Sequence, residues 1–206
     1  MGFHFFLPPF FWGVCFVYFS SKGAGDLSIR AECMNLQETY SIEDCYYYND
    51  GTKDDLTYQN GDFGSVVSEG LQLKGTTNSY QKAVIPTSLF STNDNVSCEI
   101  KLGTYTTMSP QLALYDSSYT SQGSVNGNNT YNEIASELST SSRTVRNSAP
   151  AVNEVWKITR ENGQSKFYID NTLLDTATRT VNSFRFGFYT YNNRTEVIKY
   201  IKIKAL

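Results

Sequence analysis

The stretch VWKITRENGQSKFYIDNTLLDT, residues 155–176, decides the fold. Its three runs are rich in Val, Ile, Phe, Tyr and Thr, which favour β-strands. Short polar segments separate the runs. Glu161-Asn162-Gly163 contains the Asn-Gly pair typical of a tight hairpin turn, and Asp170-Asn171 is a second turn signal. The stretch therefore predicts two consecutive β-hairpins.

Strict alternation of apolar and polar residues extends this pattern over the rest of the chain. Turn signals recur every eight to twelve residues from Tyr46 onward, a spacing typical of a sandwich or barrel. A chain of 206 residues is long enough for one all-β domain. The positions predicted to face the core are Leu71, Leu73, Val96, Cys98, Ile100, Leu102, Leu112, Leu114, Phe184, Phe186, Phe188, Ile201 and Ile203.

Two parts of the chain depart from this alternation. Residues 117–133, SSYTSQGSVNGNNTYNE, predict a polar loop, and residues 134–150 predict either a strand pair or an irregular excursion. Residues 1–26 are almost wholly apolar as far as Phe19 but are interrupted by Pro8 and Pro9. That segment fits a secretory signal, an anchor, a start-site artefact or a structural element. We place the β domain at residues 27–206.

Composition excludes several function classes. The net charge is −3 and no Lys/Arg cluster occurs, so nucleic acid is not an expected partner. The single histidine, His4, lies in the apolar segment, which excludes a His-based catalytic dyad or His-ligated zinc in the folded body. No Cys-x-x-Cys pair is present, and the position of Cys98 in its run favours a buried free thiol.

The order of the segments resembles the concanavalin A-like lectin/glucanase superfamily in its laminin-G-like form. The resemblance rests on residues 46–75, on NVSCEIKL at 95–102, on the hairpins at 154–176, and on FRFGFYTYN followed by IKYIKIKAL at the end. It implies two curved antiparallel sheets packed face to face, a jelly roll whose last strand returns beside the first. It also implies a concave face on which many members hold a sugar chain.

Glucanases of that superfamily carry Glu-x-Asp-x-x-Glu or Glu-x-Asp-x-Glu on one strand, because retaining hydrolysis needs two nearby carboxyls. Neither motif occurs here, and the spacing of Glu133 and Glu137 does not supply a third acid on the same face. We therefore expect no catalysis.

A sugar site needs flat aromatic surface beside hydrogen-bonding groups. Alternation places Tyr115, Arg185, Tyr189 and Tyr191 opposite the core positions, so these are the predicted ligand-binding residues. Trp156 is a further candidate, although its alternation with Ile158 also fits the core. The same tyrosines could instead merely cover a sheet face.

The acidic stretch NDGTKDD offers Asp50, Asp54 and Asp55 close together. Hard cations such as calcium bind several oxygen ligands, so these residues are a candidate calcium site. The alternative is a solvated acidic turn.

These observations favour a non-catalytic, lectin-like module that binds a glycan or surface glycoprotein. We expect it outside the cell, at a cell surface or on a virion such as a viral tail, with membrane contact only through residues 1–26 if they are retained. The alternatives are a structural β-sandwich acting through protein contacts, and an unusual glycoside hydrolase of the same fold.

Overall fold

The structure is a computed structural model that describes residues 45–106, 111–128, 133–138, 142–146, 148–178, 182–190 and 192–206. The apolar segment 1–26 lies outside the described residues. Within the described ranges, no helix is long and apolar enough to cross a membrane. The described strands are β1 (Cys45–Asn49), β2 (Thr57–Gln59), β3 (Gly64–Val67), β4 (Gly70–Lys74), β5 (Gln81–Val84), β6 (Phe90–Ser91), β7 (Val96–Tyr105), β8 (Gln111–Tyr115), β9 (Ser121–Asn128), β10 (Glu133–Leu138), β11 (Ser142–Arg146), β12 (Val155–Glu161), β13 (Gln164–Ile169), β14 (Thr172–Thr178), β15 (Ser183–Thr190) and β16 (Thr195–Ala205).

The strands form two antiparallel sheets. Sheet A has the order β14-β13-β12-β7-β16-β4-β3, and β1 also pairs with β16. Sheet B has the order β11-β10-β9-β8-β15-β5-β2, and β6 also pairs with β15. The last strand therefore returns beside the first, and the predicted all-β, two-sheet sandwich is confirmed.

Both hairpins predicted in residues 155–176 are present. The turn between β12 and β13 has positive φ angles at Asn162 (49°) and Gly163 (76°). The turn between β13 and β14 has positive φ angles at Asp170 (46°) and Asn171 (63°). Two successive positive φ angles match the right-handed twist of a hairpin, and Asn, Asp and Gly adopt them at the lowest cost.

Side chains from both sheets fill the space between them. Every position predicted to face inward is buried there, including Cys98, a buried free thiol as expected. Burying a Val, Leu, Ile or Phe side chain contributes about 1.5–3 kcal/mol, so this cluster is the main stabilising element. Its largest fully buried members are Trp156, Phe167, Phe184, Phe186 and Phe188.

The predicted loop at residues 117–133 is wrong in part, because residues 121–128 form β9. Among the side chains of β9 that the structure describes, Val125 alone joins the core cluster. Ser124 and Asn126 are buried on the opposite face, where the Gln111 Nε2 donates to Ser124 Oγ at 3.3 Å. A strand whose alternate positions are Ser, Asn and Gly gives no apolar pattern. Of the two alternatives for residues 134–150, the strand pair β10–β11 is the one observed.

Candidate functional site

The predicted residues of β8 and β15 lie on the same face of sheet B. Arg185 pairs directly with Tyr115, and Tyr189 pairs with Lys82 of β5. Directly opposed residues on neighbouring strands share a face. Their neighbours in each strand belong to the core, so this face is directed away from it. We call it the outer face of sheet B.

Tyr115 forms the floor of this face and offers no exposed ring. Its relative exposure is 0%, and its hydroxyl donates to the Phe188 carbonyl at 3.2 Å. Burial raises the pKa of Tyr115 well above its ordinary range. Gly187 makes room for the ring, since a Cβ there would lie 3.1 Å from Tyr115 Cε2 and 2.5 Å from the Ala83 carbonyl oxygen. Tyr115 therefore supports the surface from beneath, and its contact with a ligand stays a prediction.

The turn between β8 and β9 places a further tyrosine over this floor. Asp116 Oδ1 accepts from the backbone N–H groups of Ser118 (2.8 Å) and Thr120 (2.9 Å), and Asp116 Oδ2 accepts from Gln122 Nε2 at 2.8 Å. These bonds hold Tyr119 at φ 60°, a conformation that is uncommon and costly for a bulky residue. Backbone strain of this kind is typical of functional sites.

Tyr119 brings two cations together above the sheet. The guanidinium carbon of Arg185 lies 5.0 Å from the centre of the Tyr119 ring. Lys82 Nζ donates to the Tyr119 carbonyl at 2.6 Å and lies 5.7 Å from the centre of the Tyr115 ring. Both distances fall within the range of cation–π attraction.

A pair of tyrosines extends this surface beyond Lys82. The Tyr80 and Tyr189 rings meet edge to face, with centres 5.4 Å apart. Tyr80 is 58% exposed, whereas Tyr189 is half-buried. We define the tyrosine patch as Tyr80, Lys82, Tyr115, Tyr119, Arg185 and Tyr189.

Sequence reasoning identified half of the patch. The alternation of β5 could have found Lys82, since it opposes Tyr189 on the same face. Tyr80 precedes that strand and Tyr119 lies in a turn, so strand periodicity gives no signal for either residue. Tyr191, the remaining tyrosine predicted to bind the ligand, lies outside the described residues.

Trp156 is a core residue, the alternative that its alternation with Ile158 left open, and its role in ligand binding stays a prediction. Its exposure is 0%, and its indole Nε1 donates to Glu154 Oε2 at 2.8 Å. The Glu154 carboxylate also forms an ion pair with Arg146. Trp156 can occupy the core position indicated by its alternation with Ile158 because its indole N–H finds a buried acceptor, Glu154 Oε2.

The candidate calcium residues do not converge. Asp50 accepts from Thr52 within its own turn, Asp54 accepts from the Tyr58 hydroxyl, and Asp55 accepts from the Tyr47 hydroxyl. No group of three or more His, Cys, Asp or Glu side chains that could hold a metal occurs among the residues that the structure describes. The three aspartates thus make separate local contacts, and calcium binding by them stays a prediction.

The outer face of sheet A carries a different surface, a polar groove of about 430 Å³. Within it, Glu99 accepts from the Tyr200 hydroxyl at 2.8 Å and pairs with Lys202 at 3.7 Å. Lys157 lies 4.9 Å from the centre of the Tyr168 ring. Cations and a carboxylate alternate here, so the groove differs chemically from the tyrosine patch.

No family model matches the sequence, and no curated protein matches it. Solved structures do match. The carbohydrate binding module CBM66 from Bacillus subtilis is 18% identical with a TM-score of 0.55, covering 73% of this chain and 95% of the module. The Crh5 transglycosylase in complex with NAG is 10% identical with a TM-score of 0.59, covering 77% and 83%. An endo-beta-1,3-glucanase from Pyrococcus furiosus is 12% identical with a TM-score of 0.54, covering 78% and 94%.

These proteins share the two-sheet sandwich with this chain at low sequence identity, so the likeness concerns the fold. One of them binds carbohydrate by its description, and two are carbohydrate-active enzymes. The fold is thus common to binding modules and enzymes of carbohydrate chemistry. Together with the sheet order and the returning last strand, the matches show that this chain has the concanavalin A-like lectin/glucanase fold.

Proposed function

We propose that the protein is a non-catalytic carbohydrate-binding module whose ligand lies on the tyrosine patch. The observation that carries this proposal is the Tyr80–Tyr189 pair, an aromatic surface of which Tyr80 is 58% exposed, next to Lys82 on the same outer face. The structural likeness to a carbohydrate binding module supports it.

The patch combines the two kinds of contact that a sugar requires. Aromatic rings offer apolar surface to the C–H face of a pyranose or furanose ring, while tyrosine hydroxyls bind at its edge. Lys82 and Arg185 add donors for ring or hydroxyl oxygens. Tyr115 and Gly187 hold this surface from beneath, so little ordering is needed when the ligand binds.

The chemistry of the same face supports binding rather than turnover. Hydrolysis of a glycosidic bond needs a pair of carboxyl groups. No Asp or Glu occupies an outward position among the described side chains of β2, β5, β8, β9 and β15. The described outward residues are Thr57, Gln59, Lys82, Val84, Gln111, Ala113, Tyr115, Ser124, Asn126, Ser183, Arg185, Gly187 and Tyr189.

The competing function is glycoside hydrolysis, and the position of β10 favours it. Glu133 and Glu137 both lie in this strand, and Glu137 pairs with Ser124 of β9. The register aligns Glu133 with Asn128 and Glu137 with Ser124, so the two glutamate positions are four residues apart on the strand next to β9. Ala135 stands between them, where the glucanase motif has an acid. Turnover of a β-glucan that is lost in both Glu133→Gln and Glu137→Gln would establish the hydrolase.

We place the module outside the cell or on a virion, on the strength of the apolar N-terminal segment and the composition rich in Asn, Tyr, Ser and Thr. A structural β-sandwich that acts through protein contacts is the remaining alternative. It predicts self-assembly in light scattering and no glycan binding.

A glycan array tests the proposal directly. The full chain is screened with and without calcium, and each hit is titrated against Tyr80→Ala, Tyr189→Ala and the control Tyr168→Ala. Tyr168 is half-buried on the outer face of sheet A beside Lys157, so it matches Tyr189 in residue type and setting. We expect at least tenfold weaker binding for the two patch variants and unchanged binding for the control. A folded protein that binds nothing, or equal losses in all three variants, would refute the proposal.

A further inference from the structure

We propose that the ligand of the tyrosine patch is an acidic glycan and that Arg185 and Lys82 bind the carboxylate of a uronic-acid residue. This inference rests on the proposed function and narrows its ligand class. It starts from the two cations of the patch: Arg185 contacts the ring of Tyr119, and Lys82 contacts its carbonyl oxygen.

Neither cation has a carboxylate partner among the described residues. The contacts of Arg185 are to the Tyr119 ring, and its Nε is buried with no hydrogen-bond partner in the described part of the chain. Lys82 contacts a carbonyl oxygen and the face of Tyr115. Elsewhere in the described residues, Lys166, Lys202 and Arg146 each pair with a glutamate, so the patch differs from them.

The nearest acid along the chain forms no ion pair with either cation. Asp116 lies in the turn that carries Tyr119, and its two carboxylate oxygens accept hydrogen bonds from Ser118, Thr120 and Gln122. On β2, β5, β8, β9 and β15, the outward positions with described side chains carry no Asp or Glu, whereas the next strand, β10, contains Glu133 and Glu137. Two half-buried positive charges therefore lie beside an aromatic surface, without a carboxylate partner among the described residues, in a chain whose net charge is −3.

A carboxylate matches the donors that Arg185 presents. A guanidinium donates two parallel N–H bonds to one carboxylate, and the ammonium of Lys82 adds a point charge. Stacking on Tyr119 fixes the plane of the guanidinium before the ligand arrives, which lowers the ordering cost of binding. A neutral sugar would form no ion pair with Arg185 or Lys82. A uronic acid can stack on the tyrosines and also pair its carboxylate with both cations.

The test uses matched ligand pairs. Oligosaccharides of guluronate, mannuronate, galacturonate and glucuronate are titrated into the full chain by calorimetry, each beside the same oligosaccharide with its carboxyls reduced to alcohols. We expect at least tenfold tighter binding of one acidic form, weakening as NaCl is raised from 50 to 500 mM, because salt screens exposed charges.

Variants assign that preference to the patch. Arg185→Gln should abolish the preference for the acidic oligosaccharide. Arg185→Lys should keep part of that preference, because lysine retains the charge but cannot donate two parallel bonds to one carboxylate. Lys82→Gln should weaken it. Lys157→Gln is the matched control, since Lys157 also lies over a tyrosine but on sheet A, and should leave it intact.

The outcomes separate this inference from the proposed function. Equal binding of acidic and reduced forms, lost in Tyr189→Ala, overturns the inference and leaves the carbohydrate-binding module standing. A sulfated oligosaccharide is titrated in the same way, and a preference for it over the carboxylated ligands also overturns the inference. Absence of binding to every glycan overturns the proposed function, and the inference with it. A preference reduced equally by Lys157→Gln and Arg185→Gln shows non-specific charge attraction and contradicts a defined site.

Discussion

Arg185 lies over the ring of Tyr119, with its guanidinium carbon 5.0 Å from the ring centre. The contact joins the middle of sheet B to the turn between β8 and β9. It depends on the backbone of Tyr119, whose φ of 60° directs the residue over the sheet and its carbonyl to Lys82. The geometry of one strained turn residue thus decides where both cations of the patch lie.

This strain predicts an order of stability between two variants. Tyr119→Ala and Tyr119→Gly both remove the ring, but only glycine adopts φ 60° without steric cost. We expect the free energy of unfolding of Tyr119→Gly to exceed that of Tyr119→Ala by about 1 kcal/mol, because alanine is destabilising where φ is positive. The glycine variant should therefore unfold at a higher urea concentration. If the alanine variant is the more stable of the two, Tyr119 does not hold this conformation.

Glu196 predicts a pH dependence of folding. It is 2% exposed in β16, and its Oε2 accepts from the Gln111 backbone N–H at 2.9 Å. Burial raises the pKa of Glu196 well above its ordinary value of 4.5, although the Gln111 N–H and Arg194 act in the opposite direction. The folded state therefore keeps its proton to higher pH than the unfolded state, and stability is lost as pH rises above about 4.5.

Glu196→Gln removes this charge and keeps an acceptor for Gln111. We expect the variant and the unmodified protein to be similarly stable near pH 4. Above pH 4, the stability of the variant relative to the unmodified protein should rise by up to about 1.4 kcal/mol per pH unit, until the pH passes the pKa of Glu196 in the folded state. Urea unfolding between pH 4 and pH 8 measures the difference. A difference that stays constant over this range would show that Glu196 has no raised pKa.

Trp156 predicts a separation of stability from binding. Trp156→Phe removes the indole donor of Glu154 Oε2 and leaves this buried oxygen only the long bond from the Ala151 N–H at 3.4 Å, which costs about 1–3 kcal/mol. Because Trp156 lies in the core, glycan affinity should change less than twofold at a temperature where the variant is folded. Thermal unfolding measures the loss of stability, and a glycan titration on the same sample measures the affinity. Loss of affinity without loss of stability would return Trp156 to the site.

The sequence was sufficient for the fold because its signals are local and repeated. Phe184, Phe186 and Phe188 alternate with Arg185, so one strand shows both its core face and its outer face. Asn162-Gly163 sets a hairpin by its own backbone preference. Such signals need no knowledge of which strands are neighbours.

The site was harder to predict because it depends on contacts between distant segments. Tyr119 reaches the patch through the side-chain bonds of Asp116, and no periodicity encodes that turn. The three aspartates of the calcium hypothesis are close in sequence, but each bonds in a different direction. Tyr115 was placed on the correct face, yet its burial depends on Lys82 and Tyr119 lying above it.

The most direct test of the account is to locate a bound glycan by NMR. The full chain is labelled with ¹³C at its tyrosine rings, assigned by single Tyr→Phe variants, and titrated with the best ligand from the array. We predict that the resonances of Tyr80, Tyr119 and Tyr189 shift with ligand concentration, while those of Tyr168 and Tyr200 on sheet A stay in place. Shifts confined to Tyr168 and Tyr200 would contradict the assignment of the tyrosine patch as the binding site.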